Sequence, residues 1–503
     1  MKRILVANRG EIALRVIRGC REEGLEAVAV YSEADARSPH VRGADRAEPI
    51  GGAAPSESYL NIGHILDAAQ RSGADAVHPG YGFLAESAEF ADAVAKAGLT
   101  WIGPPASAIA AMGEKTSARK RMREHAVPVV PGTLEPAGTL EDATRAARSV
   151  GYPVLLKAAA GGGGRGMRTV AGPEQLPNAF LSAQSEALAS FGDGRVYLER
   201  LLARPRHVEI QVLADQHGRV IHLGERECSV QRRHQKLIEE APSPAVTPAL
   251  RRMMGDAAVR SAQAVGYVSV GTVEFLLMPD GQFYFLEMNT RLQVEHPVTE
   301  MVYGVDLVRM QLKVAMGHHV SLPDRALIPR GWSMECRITA EDPLREFLPA
   351  SGRLEHVRIP EGPGVRWDGW IESGAEVPPQ YDSLLGKLVV WGESRERAIK
   401  RMKRCLNDLV IAGVPTSREF HLRVMDEPEF ARGAMDIEYW DRVGRPLMSR
   451  APEASVVQEA AVAAALLEDE RRSALYAPQR GGRRSGEGAS PWADAARREG
   501  LRE

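Results

Sequence analysis

Two apolar, β-prone runs, 272–278 and 283–289, flank a turn-forming Pro-Asp-Gly-Gln at 279–282. Asp280-Gly281 between such runs reads as a β-hairpin, because a two-residue type I′ turn needs φ > 0 at both central positions. With those two residues as the turn, positions summing to 561 face each other: Glu274 and Glu287, Leu276 and Phe285, Met278 and Phe283. Directly opposed Cβ atoms sit about 5 Å apart. At an effective dielectric of about 20, two carboxylates at that spacing repel by about 3 kcal/mol. A hard divalent cation between them removes that cost, and Mg²⁺ uses one or two carboxylates together with phosphate oxygens. A protonated glutamate or an interposed basic side chain would remove it too.

After the hairpin the chain changes character. In a continued extended register, Glu287, Asn289, Arg291, Gln293 and Glu295 share one face, and Met288, Thr290, Leu292 and Val294 take the other. Acceptors, a fixed cation, an amide and a further acid in one row suit a small anion held beside a metal-bound phosphate. The run Glu-Met-Asn-Thr-Arg-Leu-Gln-Val-Glu-His-Pro-Val-Thr-Glu, 287–300, resembles the signature of biotin carboxylases, members of the ATP-grasp superfamily. The resemblance extends from residue 1 to about 443.

A chain of 503 residues is too long for one hydrophobic core and reads as three or so domains. A formal net charge of −2 supplies no global basic field, which argues against nucleic acid as the partner. The apolar runs are far shorter than a membrane span. The opening Met-Lys-Arg-Ile-Leu-Val-Ala-Asn leads into a strand–helix unit and is no signal peptide. Cys20, Cys228, Cys336 and Cys405 match neither a zinc spacing nor a disulfide framework, and fit buried thiols in a reduced, cytoplasmic setting.

Taken in order, strand 3–8, helix 10–24 and strand 27–31 form a βαβ opening. It lacks the Gly-x-Gly-x-x-Gly fingerprint, so no Rossmann cofactor site is expected. Helices 60–72 and 86–97 alternate with strands 76–78 and 100–102. His78-Pro-Gly-Tyr-Gly-Phe-Leu-Ala-Glu86 follows the carboxyl end of a strand, where open α/β sheets place ligands. Helix 114–125 and a linker at 128–131 precede strand 151–157, which ends in Lys157. Gly161-Gly-Gly-Gly-Arg-Gly166 then precedes strand 167–170. No Lys-Ser/Thr follows the glycines and no helix starts there, so this is no Walker A loop. A hairpin tip of this kind can fold over phosphates with bare backbone N–H groups.

Helix 176–190 and strand 195–199 complete that lobe. Strand 207–213 alternates, with His207, Glu209 and Gln211 on one face, and pairs with strand 220–225. Arg232, Arg233 and Lys236 crowd within five residues and are read as facing phosphate. Helix 248–265 leads into the hairpin, and the short strands and helices from 334 to 425 read as an α+β region. Ala and Leu recur at helical spacing over 452–475, and 480–503 has a disordered composition.

The resemblance implies a Rossmann-like α/β domain at 1–113 and an ATP-grasp domain at 114–330 with a mobile lid over about 131–203. It further implies a C-terminal α+β domain at 331–443 and a helical, then disordered, tail at 444–503. The implied activity is ATP- and bicarbonate-dependent carboxylation of biotin on a separate biotin carboxyl carrier protein, through carboxyphosphate. Lys115, Lys157 and Lys236 would neutralise ATP phosphates beneath Gly162, Gly163, Gly164 and Gly166. Glu199 and Leu202 would border adenine, and His207, Gln231 and His234 the ribose. Glu274 and Glu287, helped by Asn289, would hold Mg²⁺ or Mn²⁺. Lys236, Arg291, Gln293 and the Val294 backbone would hold bicarbonate. Glu295 would take its proton, Arg337 would stabilise the ureido oxygen of biotin, and Tyr81 would border the biotin pocket.

A carboxyltransferase subunit is an implied partner, and a homodimer is implied through positions including Arg18, Glu22 and Arg366. Pro363 stands there where the family has an aromatic. No lysine follows Lys403, so no biotin-bearing carrier segment is expected in that part. The final acceptor (acetyl-CoA, propionyl-CoA, another acyl-CoA or pyruvate) stays open. Another ATP-grasp ligase, joining a carboxylate to an amine, is the alternative.

Overall fold

Short buried runs at the start of the chain pair in parallel. Strands β1 (Arg3–Val6), β2 (Glu26–Tyr31), β3 (Arg46–Pro49), β4 (Ala76–His78) and β5 (Thr100–Trp101) form a sheet in the order β3-β2-β1-β4-β5. The order reverses between β1 and β4, which opens a crevice at their carboxyl ends. Helix Gly10–Glu22 follows β1 with Ile12, Val16, Ile17 and Cys20 buried, as its periodicity predicts. The sequence reading missed β3, a half-exposed edge strand, Arg-Ala-Glu-Pro, without apolar alternation. Asn8 Nδ2 donates to the carbonyls of Pro79 and Tyr81 at 2.8 Å each, which ties down the loop that carries Tyr81. Gly80 sits there at φ +65°, and a Cβ on it would stand 2.9 Å from the Asn8 side chain.

The computed structural model describes residues 1–133, 135–159, 167–322, 328–449 and 454–476. The expected glycine lid, with Gly162, Gly163, Gly164 and Gly166, lies outside the described residues. The strands on either side of it are described. β6 (Val154–Ala158), β7 (Arg168–Val170) and β8 (Val196–Arg200) make an antiparallel sheet in the order β7-β6-β8. Val154, Leu156, Val196 and Leu198 from that sheet pack with Ala143 and Ala147 of helix Leu140–Val150 and Phe180 and Ala183 of helix Leu176–Phe191.

The largest sheet joins the middle of the chain to its C-terminal part. Its strands are β9 (Arg206–Ala214), β10 (Val220–Arg232), β11 (Gln235–Ala241), β12 (Ser269–Leu277), β13 (Phe283–Asn289), β14 (Trp332–Thr339), β15 (Val365–Gly369) and β16 (Leu384–Gly392). The order is β13-β12-β9-β10-β11-β14-β16-β15, so pairing of β11 with β14 carries the sheet across the border expected at 330/331. β10 runs on to Arg232 and turns back at Arg233 and His234, with φ of +49° and +64°. The strand expected over 220–225 is thus longer, because Arg226 and Glu227, charged residues that look solvated in sequence, are buried in the fold.

The hairpin forms, but not through a two-residue turn. Gly281 has φ +87° and Asp280 is not left-handed; Gly281 N donates to the Met278 carbonyl and Met278 N to the Gln282 carbonyl. Pro279, with its fixed φ, thus opens a three-residue loop that ends on a left-handed glycine. The pairs near the tip are Phe275 with Phe285 and Leu277 with Phe283, in place of the expected Leu276 with Phe285 and Met278 with Phe283. A bulge between Glu274 and Phe275 shifts the register back by one, and Glu274 does face Glu287. The extended polar row is a second correction. β13 stops at Asn289, 290–294 form a loop, and Glu295 is the N-cap residue of helix His296–Tyr303.

The tail, 450–503, is a unit of its own. Within it helix Ala454–Tyr476 leaves Val457, Val462, Leu466 and Leu467 exposed. The disorder expected over 480–503 falls outside the described residues. Among the described residues no helix is long and apolar enough to cross a membrane.

Candidate active site

β9 and β12 present His207, Glu209, Gln211 and Glu274 on one face, so alternation alone buries four polar side chains side by side. Their charges are matched by Lys236 from β11. Its Nζ lies 2.5 Å from Glu209, 3.0 Å from Glu274 and 2.5 Å from Glu295. Glu274 Oε1 also accepts from Asn289 Nδ2 (2.9 Å) and Gln293 Nε2 (2.7 Å), and its Oε2 is 3.0 Å from His207 Nε2. Burial alone would raise the Glu274 carboxyl, but Lys236 and His207 hold it well below the usual range.

Glu287 has the opposite balance. Among the described residues it accepts no hydrogen bond and joins no ion pair, and burial, then Glu274, pushes its carboxyl up. It borders a cavity of about 310 Å³ together with Lys115, Asn289, Arg291 and Glu86. A carboxylate with no cation of its own, facing a second one beside an open space, fits a divalent ion. The donor set differs from the expectation in one respect: Asn289 turns Nδ2 to Glu274 and accepts from Arg291 at its Oδ1 (3.1 Å).

Glu295 stands between two cations, Lys236 and, at 2.8 Å, Arg337 from β14. Lys236, Arg337 and Arg226 hold its carboxyl well below the usual range against the cost of burial. Arg337 is held in turn by Glu239, which accepts from its Nε at 2.6 Å. The other bicarbonate candidates divide. Gln293 lies inside the cluster, between Glu274 and Arg226. Arg291 points its Nε to Glu86 Oε2 (2.9 Å), at the rim. Val294 turns its carbonyl to Lys387 Nζ (2.9 Å). Tyr81 reaches the same place by another path: its hydroxyl donates to Glu11, which is 3.0 Å from Lys387.

On the nucleotide side, Lys157 lies 2.5 Å from Glu199, and Arg119 pairs with the same carboxylate. The Glu199 side chain is therefore committed to two cations, which leaves its backbone to meet a base. Despite that partner, burial, then the charges of Lys115 and Arg119, pulls the Lys157 ammonium down to about 7. His234, at the exposed β10–β11 turn, is also lowered, by burial and then Lys157, His207 and Lys115. Cations that depress one another in this way favour a polyanion between them. Gln231 is buried opposite Lys236, and Leu202 is half-exposed just before β9. Arg232 is a correction. It leaves the phosphate side, stacks 5.2 Å from the Phe347 ring and donates to the Glu346 carbonyl, and Arg233 is exposed in the turn.

Several site residues escaped the sequence reading. Arg226 is fully buried and bonds Glu209, Gln211, Thr272, Gln293 and Thr299. Glu86, Glu239, Arg119 and Lys387 each hold a candidate residue in place. Of this group only Glu86 left a signal, as the last residue of the motif that follows the carboxyl end of a strand.

Family models match the chain over most of its length. They are the biotin carboxylase N-terminal domain over 1–109, the carbamoyl-phosphate synthase L chain ATP-binding domain over 114–322, and the biotin carboxylase C-terminal domain over 335–442. A biotin carboxylase of Nostoc sp. is 51% identical over 437 residues, 87% of this chain and 98% of that one. The chain belongs to the biotin carboxylase family. A pyruvate carboxylase subunit of Methanothermobacter thermautotrophicus, 52% identical, is covered over 90% of its length by 88% of this chain. Among solved structures, the biotin carboxylase domain dimer of Hydrogenobacter thermophilus 2-oxoglutarate carboxylase, with MgADP, ADP and bicarbonate, superposes with a TM-score of 0.86. It is 44% identical, and the match covers 90% of this chain and 99% of that one. As a biotin carboxylase family member the chain is an ATP-dependent carboxylating ligase of mixed α/β fold, with an ATP-grasp-type domain behind an N-terminal parallel sheet.

Proposed function

We propose that the cluster around Lys236 and Glu295 is where bicarbonate is activated by ATP and passed to biotin held on a carrier protein. The observation that carries this reading is one buried lysine shared by three carboxylates beside a fourth, Glu287, that has no partner among the described residues. A lysine so placed can give up part of its carboxylate contact to an entering anion at small cost. Gln293, Arg291 and the Val294 N–H complete the bicarbonate cradle; the planar guanidinium meets the carboxylate-like face of the anion in pairs.

Glu295 is ionised but weakly basic while Lys236 and Arg337 rest on it. Bicarbonate draws Lys236 away, the Glu295 pKa rises, and the bicarbonate proton moves to Glu295. The freed oxygen attacks the γ-phosphorus of ATP, the bond to the β-phosphate oxygen breaks, and carboxyphosphate and ADP result. Lys115, Lys157 and Lys236 neutralise the phosphates, because phosphoryl transfer is mostly positioning and charge balance, and His207, Gln231 and His234 meet the ribose side. A Mg²⁺ or Mn²⁺ ion held by Glu274 and Glu287, with Asn289 orienting Glu274, would supply the remaining positive charge on those phosphates. Carboxyphosphate releases CO₂ and phosphate, phosphate takes the proton of biotin N1, and the nitrogen attacks CO₂. Between the last two events, while N1 is deprotonated, Arg337 balances the charge on the ureido oxygen, beside Tyr81.

On this reading 1–113, 114–330 and 331–443 act together, the last contributing Arg337. The chain works as a homodimer in a cytoplasmic setting, and a carboxyltransferase subunit takes the carboxyl group onward. The Hydrogenobacter dimer supports the first point. Arg18 and Pro363 are exposed here, while Arg366 is engaged by Glu300 and Asp368. Glu287→Gln tests the metal assignment. Mn²⁺ binding in the presence of ATP, read by electron paramagnetic resonance, should weaken by about tenfold or more with the fold intact. Unchanged Mn²⁺ affinity would remove Glu287 from the metal site.

A further inference from the structure

Behind Arg337 lies a second pair of facing acids. Glu239 on β11 and Glu335 on β14 are direct cross-strand partners, and both are fully buried. Of their four carboxylate oxygens only Glu239 Oε1 has a hydrogen-bond donor, Arg337 Nε at 2.6 Å. Glu239 Oε2 and both oxygens of Glu335 have no hydrogen-bond partner among the described residues. The nearby cations are committed elsewhere. Arg337 is shared with Glu295 at 2.8 Å, and Lys387 lies 3.0 Å from Glu11 and 4.0 Å from Asp368 while donating to the Val294 carbonyl. Two ionised carboxylates directly opposed in a dry sheet, with one guanidinium between three acids, would be uncompensated.

We propose that Glu239 and Glu335 hold a single proton between them and, as a pair with one negative charge, position Arg337 toward Glu295 and the biotin site. The positioning half rests on the role given to Arg337 above; the shared proton does not. The charged groups facing the pair agree with it. Glu335 faces Lys387, Glu239, Arg337 and Glu295, and burial puts its carboxyl well above the usual range. Glu239 faces Arg337, Glu295 and Lys236, and burial is the first cause that raises it to about 7. Loss of the proton as pH rises places a second negative charge behind Arg337, which draws the guanidinium back from Glu295.

Glu335→Gln keeps the shape and cannot ionise. Three readouts are expected to change. The infrared difference spectrum between wild type and variant loses one protonated-carboxyl C=O band. The alkaline limb of biotin-dependent ATP cleavage moves up by about one pH unit or more while the KM for ATP stays constant. Glu335 binds its proton more tightly folded than unfolded, so wild-type stability falls as pH rises from about 4.3 through the folded value. The variant, lacking that slope, therefore gains in Tm over wild type on the alkaline side. An unchanged carboxyl band would overturn the shared proton, and an unchanged pH–rate profile would overturn the positioning role. If Glu335→Gln does not fold, Glu335→Met should lose the same band, and Glu239→Gln, which removes the carboxylate held by Arg337, should lower kcat by about tenfold or more at constant KM for ATP. Retention of either value would count against the pair. Arg337→Met separates the two layers: if it spares biotin-dependent turnover, the role of Arg337 fails, and the infrared band still decides the shared proton.

Discussion

Glu295→Gln is expected to bind ATP as wild type does and to lose bicarbonate-dependent ATP cleavage by about 10²–10⁴-fold, the usual worth of a positioned general base. The substitution removes the one acid that contacts both Lys236 and Arg337. Neither cation is stranded, because Lys236 keeps Glu209 and Glu274 and Arg337 keeps Glu239. The fold should therefore survive and the loss should fall on chemistry. Of the groups read as holding ATP, Lys115, Lys157 and His234 form no ion pair with Glu295 among the described residues, and Lys236 keeps Glu209 and Glu274, so the KM for ATP should change little. Steady-state release of phosphate with and without bicarbonate is the measurement. Full bicarbonate-dependent cleavage by the variant would take the base role from Glu295.

Arg226→Met should be the most damaging single change to stability, at about 3–5 kcal/mol, the cost of breaking a buried charge network from one side. The guanidinium is fully buried, with bonds of 2.5–3.0 Å to the side chains of Glu209, Gln211, Thr272, Gln293 and Thr299. Its five N–H donors match that geometry, and the three donors of a lysine do not. Without it, Glu209 keeps Lys236 as its close cation, while Gln211 and Gln293 lose the donor to their Oε1 atoms inside the fold. Urea unfolding followed by circular dichroism should show an earlier midpoint for the variant. A midpoint within error of wild type would mean that water or a neighbouring cation replaces the guanidinium without cost.

The pairing of Glu274 with Glu287 was legible in the sequence, though by a partly mistaken route. Pro279 widened the turn by one residue and the bulge after Glu274 took that residue back. Proline at the loop entry was the signal for the longer turn; nothing local marked the bulge. That Gln293 and Glu295 lie on the same side as Glu274 was also legible, but not how the chain brings them there. A loop brings Gln293 to Glu274 and a helix start brings Glu295 to Lys236, whereas a continued strand was expected. Arg232 was misplaced because a basic run carries no information on which side of a hairpin each residue falls. Its neighbour Lys236 turned inward, and Arg232 found two aromatic rings instead. The buried hub Arg226, and Glu239 behind Arg337, were invisible for a related reason. Charged residues in a row look solvated until the partners that bury them, here from β9, β12 and β14, are known. The alternating polar face at 207–211 was visible, and its burial was the unread part.

The most direct measurement is incorporation of labelled bicarbonate into biotin by the purified chain with ATP and Mg²⁺. The expected result is acid-labile label on biotin, with ADP and phosphate formed in step, and no label when ATP, Mg²⁺ or biotin is omitted. ATP cleavage that responds to amines and leaves biotin unlabelled would contradict it.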